Sequence, residues 1–277
     1  MIKSILLSVF LASSSFANSY STNFPLTENP TSENPMWING GTVGIDWSNV
    51  QTVKGHASGT QVNPDNYPYN DSTAIVSRSW GSDQSAQATV VAGNVWHNSV
   101  EEVELRLRTT ITAHNITGYE FDFRVASPGG YAPIVRWNGP LNNFTTIAQE
   151  NSNYHGIKTG DVIMATAVGN VLSAYVNGVL VAQVNDSTYT NGSPGVGFWY
   201  GGSGGDNASF GLSNFSATDG GSPAPSPTPT PSPTPTPDPS PYSVWESSLL
   251  SYMQSIGISS SNRGKVSTWM KSHPPTP

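Results

Sequence analysis

No cysteine occurs among the 277 residues, so the chain is held without disulfides and must draw its stability from a buried core. Charge is scarce too. Lys and Arg number 11 against 18 Asp and Glu, a formal net charge of −7, and only 10 % of residues are charged. Such an acidic, charge-poor chain lacks the basic footprint that nucleic acid requires, which excludes that partner. No apolar run reaches the ~20 residues of a membrane span. From residue 18 to about residue 218 there is also no helical period. Short β-rich runs alternate there with Gly, Asn, Pro and Ser clusters.

The stretch from Asp161 to Tyr200 is the most informative. Its runs Val162–Val168, Val171–Val184 and Val196–Tyr200 form a meander stitched by Gly169-Asn170 and Asn177-Gly178. Both dipeptides are two-residue hairpin signals, since tight hairpin turns need positive φ. Val168 is therefore expected opposite Val171, and Val176 opposite Val179. Further strands are expected at Ala86–Val91, Val103–Thr112, Tyr119–Ala126, Ile134–Trp137, Phe144–Ile147 and Ser209–Ala217. Many short strands with regular turns mean an all-β sandwich, and about 200 residues suffice for its core.

Other segments flank it. Lys3, the apolar run Ile5–Ala12 and Ser15-Phe16-Ala17 read as a secretory signal over residues 1–17, cut after Ala17. The mature chain would be extracellular and carry no transmembrane segment. The sandwich domain takes residues 18–218 and a Pro/Thr/Ser linker residues 219–241. Every second residue from Pro223 to Pro241 is proline, which favours a semi-rigid polyproline spacer. Residues 242–277 read as a short helical appendage. Trp245, Leu249, Tyr252, Met253 and Ile256 recur on one helical face before Gly257, and Val266, Trp269 and Met270 form a second pattern. This apolar stripe is a docking face for a protein or cell-surface partner, or else a loosely folded hairpin. It has no calcium-loop pattern.

Several of these runs carry a family resemblance. They are Gly160-Asp161-Val162, Ala174-Tyr175-Val176-Asn177-Gly178-Val179, Gly195-Val196-Gly197-Phe198, Gly118–Arg124 and Ile134–Gly139. Over residues 21–218 the chain resembles the concanavalin A-like lectin/glucanase superfamily, including laminin-G-like modules. The resemblance implies an antiparallel two-sheet jelly roll. Phe24 to Trp37, then Trp47, would be the lead-in strand, and Leu212–Ser216 the last edge strand. The superfamily hosts lectins, hydrolases, lyases and adhesion modules, so the fold alone does not select among them.

Residues 101–136 hold nine of the 29 charged side chains, including four of the six arginines. Val103, Leu105, Leu107 and Ile111 are expected to face one way, and Glu102, Glu104, Arg106 and Arg108 the other. Tyr119, Phe121 and Phe123 alternate with Glu120, Asp122 and Arg124. Paired strands would set these charges on one outer face. That face is either a solvated lattice of ion pairs or a ligand surface for polysaccharide, comprising Glu104, Arg106, Arg108, Glu120, Asp122, Arg124, Arg136 and Trp137. Trp199 could stack on a sugar ring at its rim.

Glu120 and Asp122 are also the catalytic candidates if the chain is an enzyme. Two carboxylates two residues apart on a strand stand about 6–7 Å apart. The laminarinase-type motif calls for a further acid where Arg124-Val125 stands, and the lyase motif Gln-x-His does not occur. Tyr154-His155 is either a plain surface pair or a base near Arg136. Asp65, Asn70 and Asp71 lie in a Pro-, Tyr- and Asn-rich loop that reads first as a plain polar loop, with a structural calcium site as the alternative; no other cofactor is implied. The primary reading is therefore a secreted, lectin-like, polysaccharide-binding module. An extracellular lyase or glycoside hydrolase using the same face, and a structural adhesion protein, remain the alternatives.

Overall fold

The computed structural model describes residues 17–44, 46–62, 69–93, 100–125, 130–151, 154, 156–201, 206–220 and 249–272. The signal up to Phe16, the proline tract from Pro223, Asp65, Trp245 and His155 lie outside the described residues. The chain divides into two units, Met1–Ala224 and Pro225–Pro277.

The first unit is an antiparallel two-sheet sandwich. Its strands are β1 (Ser19–Thr22), β2 (Trp37–Asn39), β3 (Val50–Val53), β4 (His56–Gly59), β5 (Ser72–Val76), β6 (Gln84–Ala92), β7 (Val100–Thr112) and β8 (Asn115–Val125), then β9 (Ile134–Gly139), β10 (Phe144–Ala148), β11 (Val162–Val168), β12 (Val171–Val176), β13 (Val179–Asn185), β14 (Ser193–Gly201) and β15 (Phe210–Thr218). One sheet runs β13-β12-β11-β6-β15-β4-β3, with β1 also on β15; the other runs β10-β9-β8-β7-β14-β5-β2. The core lies between them. Val103, Leu105, Leu107, Tyr119, Phe121 and Phe123 of β7 and β8 meet Ala88, Val90, Ile163, Leu172 and Phe215 of the opposite sheet. Full burial of each large apolar side chain contributes about 1.5–3 kcal/mol.

The hairpins follow from their turn residues. Val168 pairs with Val171 and Val176 with Val179. Asn177 and Gly178 take φ of 51° and 78°, values that Asn and Gly adopt at least cost. Two expectations need correction. Val196–Tyr200 does not extend the meander: as part of β14 it pairs with β5 and β7 in the other sheet. Leu212–Ser216 is no edge strand either, because β15 has β6 on one side and β4 and β1 on the other. Inward alternation looks the same in either sheet, so side-chain pattern cannot assign a strand to one of them. The lead-in region splits likewise, β1 joining one sheet and β2 the other.

In the second unit, residues 249–255 are helical. Gly257, at φ 84°, caps them, and a second helix spans Ser260–Ser272. Tyr252 and Ile256 are exposed. Among the described residues no helix is long and apolar enough to cross a membrane.

Candidate functional site

The charge-rich strands β7 and β8 pair through a two-residue turn, with Glu102 opposite Arg124, Glu104 opposite Asp122 and Arg106 opposite Glu120. Alternation then sends these six side chains to the outer face, away from the core. The solvated lattice does not follow. Glu104 and Arg106 are each 1 % exposed, Glu120 5 % and Asp122 6 %. A second apolar cluster covers this face, made of Trp47, Ile75, Ile111, Ile116, Val135 and Trp137. Trp47 packs edge-on against Trp137 at 4.4 Å between ring centres, and the Arg106 guanidinium lies 5.2 Å from the Trp47 ring. Sequence patterning missed this cover because Trp47 arrives from a distant loop.

Arg106 organises the buried set. It bonds Asp71 at 3.2 Å, Glu120 at 2.6 Å, and Glu104. The Trp137 indole N–H donates to Glu120 Oε2 at 2.7 Å, fixing that carboxylate from a second side. Gly197 on β14 leaves the space for Glu104: a Cβ there would stand 2.0 Å from Glu104 Oε2. Five carboxyl groups, Asp71, Glu102, Glu104, Glu120 and Asp122, thus share a face with Arg106 and Arg124.

The imbalance shows in their protonation. Burial is the largest influence on Asp71, pushing it up to about 7; Glu120 adds to the rise and Arg106 opposes it. Burial likewise raises Glu102, Glu104 and Asp122 well above the carboxylate range, and neighbouring carboxylates raise them further. Burial alone would lower Arg106, but Glu120, Glu104 and Asp71 outweigh it and hold the guanidinium charged.

The set opens on a cavity of about 160 Å3 whose lining includes Glu102, Glu120, Asp122, Tyr131, Trp137 and Trp199. Of the buried polar atoms without hydrogen-bond partners, Asp122 Oδ1 and the Trp199 indole nitrogen belong to residues of the lining, while Glu104 Oε1, Arg106 Nε and Arg124 Nε belong to residues behind it. Arg124 lies over the Tyr131 ring at 5.5 Å. The cavity lining therefore presents an unpartnered acceptor on Asp122, an unpartnered donor on Trp199 and aromatic walls.

Of the residues singled out from the sequence, Glu104, Arg106, Glu120, Asp122, Arg124 and Trp137 come together here. Three others do not. A bulge between Leu107 and Thr110 breaks the alternation; it puts Ile111 in the outer cluster with Trp47 rather than in the core with Leu107, and Arg108, at φ 49°, turns away to donate to the carbonyls of Ser82, Tyr189, Ala167 and Gly169. Arg136 stands opposite Tyr119, hence on the inner side of the sheet, and pairs with Asp186; adjacent residues 136 and 137 cannot share a face. Tyr154 belongs to the core and donates to the Arg124 carbonyl at 3.0 Å; His155 lies outside the described residues. Of the loop offered for calcium, Asp65 lies outside the described residues. Asp71 faces Arg106, and Asn70 Oδ1 accepts from Gln61. Trp47 and Gly197 were missed, and an isolated Trp or Gly carries no sequence signal for such a role.

No family model and no curated protein matches the chain. Among solved structures it is similar to the carbohydrate-binding module CBM66 from Bacillus subtilis, at 16 % identity, covering 68 % of this chain and 95 % of that one with a TM-score of 0.45. The potassium-bound carbohydrate recognition domain of Emp46p matches at 12 % identity over 73 % and 97 %, TM-score 0.47. A β-porphyranase from the human gut bacterium Bacteroides plebeius matches at 9 % identity over 73 % and 92 %, TM-score 0.43. These are partial likenesses, and the ligand of this chain has to follow from its own residues.

Proposed function

We propose that the sandwich binds a polysaccharide in the cleft between Trp137, Trp199 and the buried carboxyl set, as a lectin-like module. The unpartnered polar atoms at an aromatic-walled cavity carry this reading. A sugar offers both a hydroxyl donor for Asp122 and acceptor oxygens for the Trp199 N–H, while its ring faces pack on indole. Five carboxyl groups against two arginines favour a neutral glycan over an acidic one. The cavity falls below the ~300 Å3 of common ligand pockets, which suits one sugar residue of a longer chain. A glycan array with neutral and acidic polysaccharides tests this: retention of neutral glycans supports it, and retention of none, or of uronates alone, refutes it.

One observation favours a second reading, glycoside hydrolysis. Asp71, Glu104 and Glu120 lie with oxygens within 4.8 Å of one another, and burial raises the Asp71 carboxyl to about 7 and that of Glu104 well above the ordinary value, the direction that a general acid requires. A reducing-sugar assay on the retained glycan separates the two. Turnover that Glu120→Gln abolishes while binding persists makes the chain an enzyme; absence of turnover leaves the lectin.

The same proposal places the protein outside the cell, its signal removed after Ala17, with residues 219–241 as a spacer to the helical appendage. N-terminal sequencing of exported protein should begin at Asn18, and a Met1 start would refute export by this route.

A further inference from the structure

Glu102 and Glu104 of β7 and Asp122 of β8 bring carboxylate oxygens within 4.8 Å of one another, and we propose that these three side chains hold a calcium ion. The neighbouring set of Asp71, Glu104 and Glu120 is equally close but already contains its cation, since Arg106 bonds all three. In the second set Arg106 reaches only Glu104, through Oε2, and leaves Glu104 Oε1 without a partner. Arg124 stands opposite Glu102 and its charge opposes the rise of that carboxyl, but among the described residues it forms no ion pair with the trio, and its guanidinium lies over Tyr131.

Proximity of acids would not by itself make a site. The second observation is that Glu104 Oε1 and Asp122 Oδ1, on side chains at least nine-tenths buried, have no hydrogen-bond partner. A buried, unpaired carboxylate oxygen is costly unless a cation or donor meets it. Both atoms belong to the trio. Gly197 opens the room in which the Glu104 carboxylate stands.

Oxygen-only donors select a hard cation. Calcium bonds oxygen at about 2.3–2.6 Å, so ligands on opposite sides of it stand up to about 5 Å apart; magnesium, at about 2.0–2.1 Å, spans only about 4.2 Å and demands near-ideal octahedral geometry. Oxygens that all lie within 4.8 Å of one another can reach a single calcium, the larger and more tolerant ion. Three carboxylates supply about half of the 6–8 oxygens that calcium takes. The remainder would come from water and from sugar hydroxyls on the cavity side, where Glu102 and Asp122 form part of the lining. That last step rests on the proposed glycan binding; the ion site does not.

The experiment uses the full mature chain, stripped with chelator and then titrated with Ca2+ by calorimetry, with Tb3+ luminescence excited through tryptophan as a second readout. One Ca2+ per chain is expected, with Mg2+ competing poorly. Asp122→Asn and Glu102→Gln should each weaken Ca2+ by about 10-fold or more, while Asp186→Asn, on the other face of the sheet, should not. Far-ultraviolet circular dichroism of each variant establishes that it is folded. Absence of Ca2+ binding by the wild-type chain overturns the proposal, as does unchanged affinity in folded Asp122→Asn. So does binding of glucosamine in chelator that Asp122→Asn abolishes, because an ammonium group would then fill the trio. Ca2+ bound without any glycan retained upholds the ion site and removes the glycan reading. Glycan retained equally with and without chelator, in a chain that binds no Ca2+, does the reverse.

Discussion

Arg106 and Glu120 meet at 2.6 Å beneath the outer face of the sheet, their side chains 1 % and 7 % exposed. They stand opposite each other on β7 and β8, so the pair is set by strand register rather than by flexible side chains finding one another. Burial makes it costly to break. Removing one partner of a buried pair leaves an uncompensated charge, at about 3–5 kcal/mol.

Arg106→Met should therefore lower unfolding free energy by about 3–5 kcal/mol at neutral pH, since Asp71, Glu104 and Glu120 all lose their shared cation. Urea denaturation measures it. A loss under about 1 kcal/mol, the scale of an exposed pair, would mean that the cluster is solvated after all.

Asp186 gives the acid-side dependence. Burial pushes its carboxyl up, but the Tyr119 hydroxyl, Thr188 and Arg136 together outweigh this and hold it below the ordinary value. A depressed carboxyl binds fewer protons folded than unfolded, so its stabilisation is present above the ordinary value of about 3.9 and is lost as pH falls through the folded value. Asp186→Asn should be less stable than wild type at pH 7 by about 1.5–3 kcal/mol, and the two should converge below about pH 4. Parallel stability curves from pH 7 to pH 2 would contradict this account.

Asp219 receives the start of β1. The Asn18 backbone nitrogen donates to its Oδ1 at 2.5 Å, and the Gly81 N–H to its Oδ2 at 2.7 Å. Cleavage after Ala17 would turn the Asn18 nitrogen into an ammonium facing this carboxylate. Protein beginning at Asn18 should melt higher than protein retaining Ala17, and Asp219→Asn should erase the difference. The difference should also vanish as pH rises past the ~7.7–8.0 range of an α-amino group. Equal melting temperatures at pH 6 would count against the clamp.

The fold was legible where chemistry is local. Asn177-Gly178 and Gly169-Asn170 announced their hairpins, and the alternation from Val103 to Leu107 and from Tyr119 to Phe123 announced which side chains enter the core. What was not legible was non-local. Period-two patterning sorts β14 and β15 by face but not by sheet. It could not foresee that Trp47 would cover Arg106, which turned an expected surface into an interior. The bulge at Arg108 was hidden for a related reason: one inserted residue reverses every later side chain, and Arg108 carries no marker of it. Arg136 was a different kind of miss. Its neighbour Trp137 already claimed the cleft face, so the strand period itself placed Arg136 on the other side.

The central claim is that glycan enters the cleft beside Trp199. The most direct measurement is calorimetric titration of the neutral polysaccharide retained on the array into wild-type protein and Trp199→Ala. Trp199 is half-buried at the rim, so its removal should leave the melting temperature nearly unchanged. It should weaken binding by about 10-fold, the 1.4 kcal/mol expected from losing an aromatic contact and one hydrogen bond. Equal affinity in the two proteins, with Trp199→Ala folded, would place the glycan elsewhere and contradict the account.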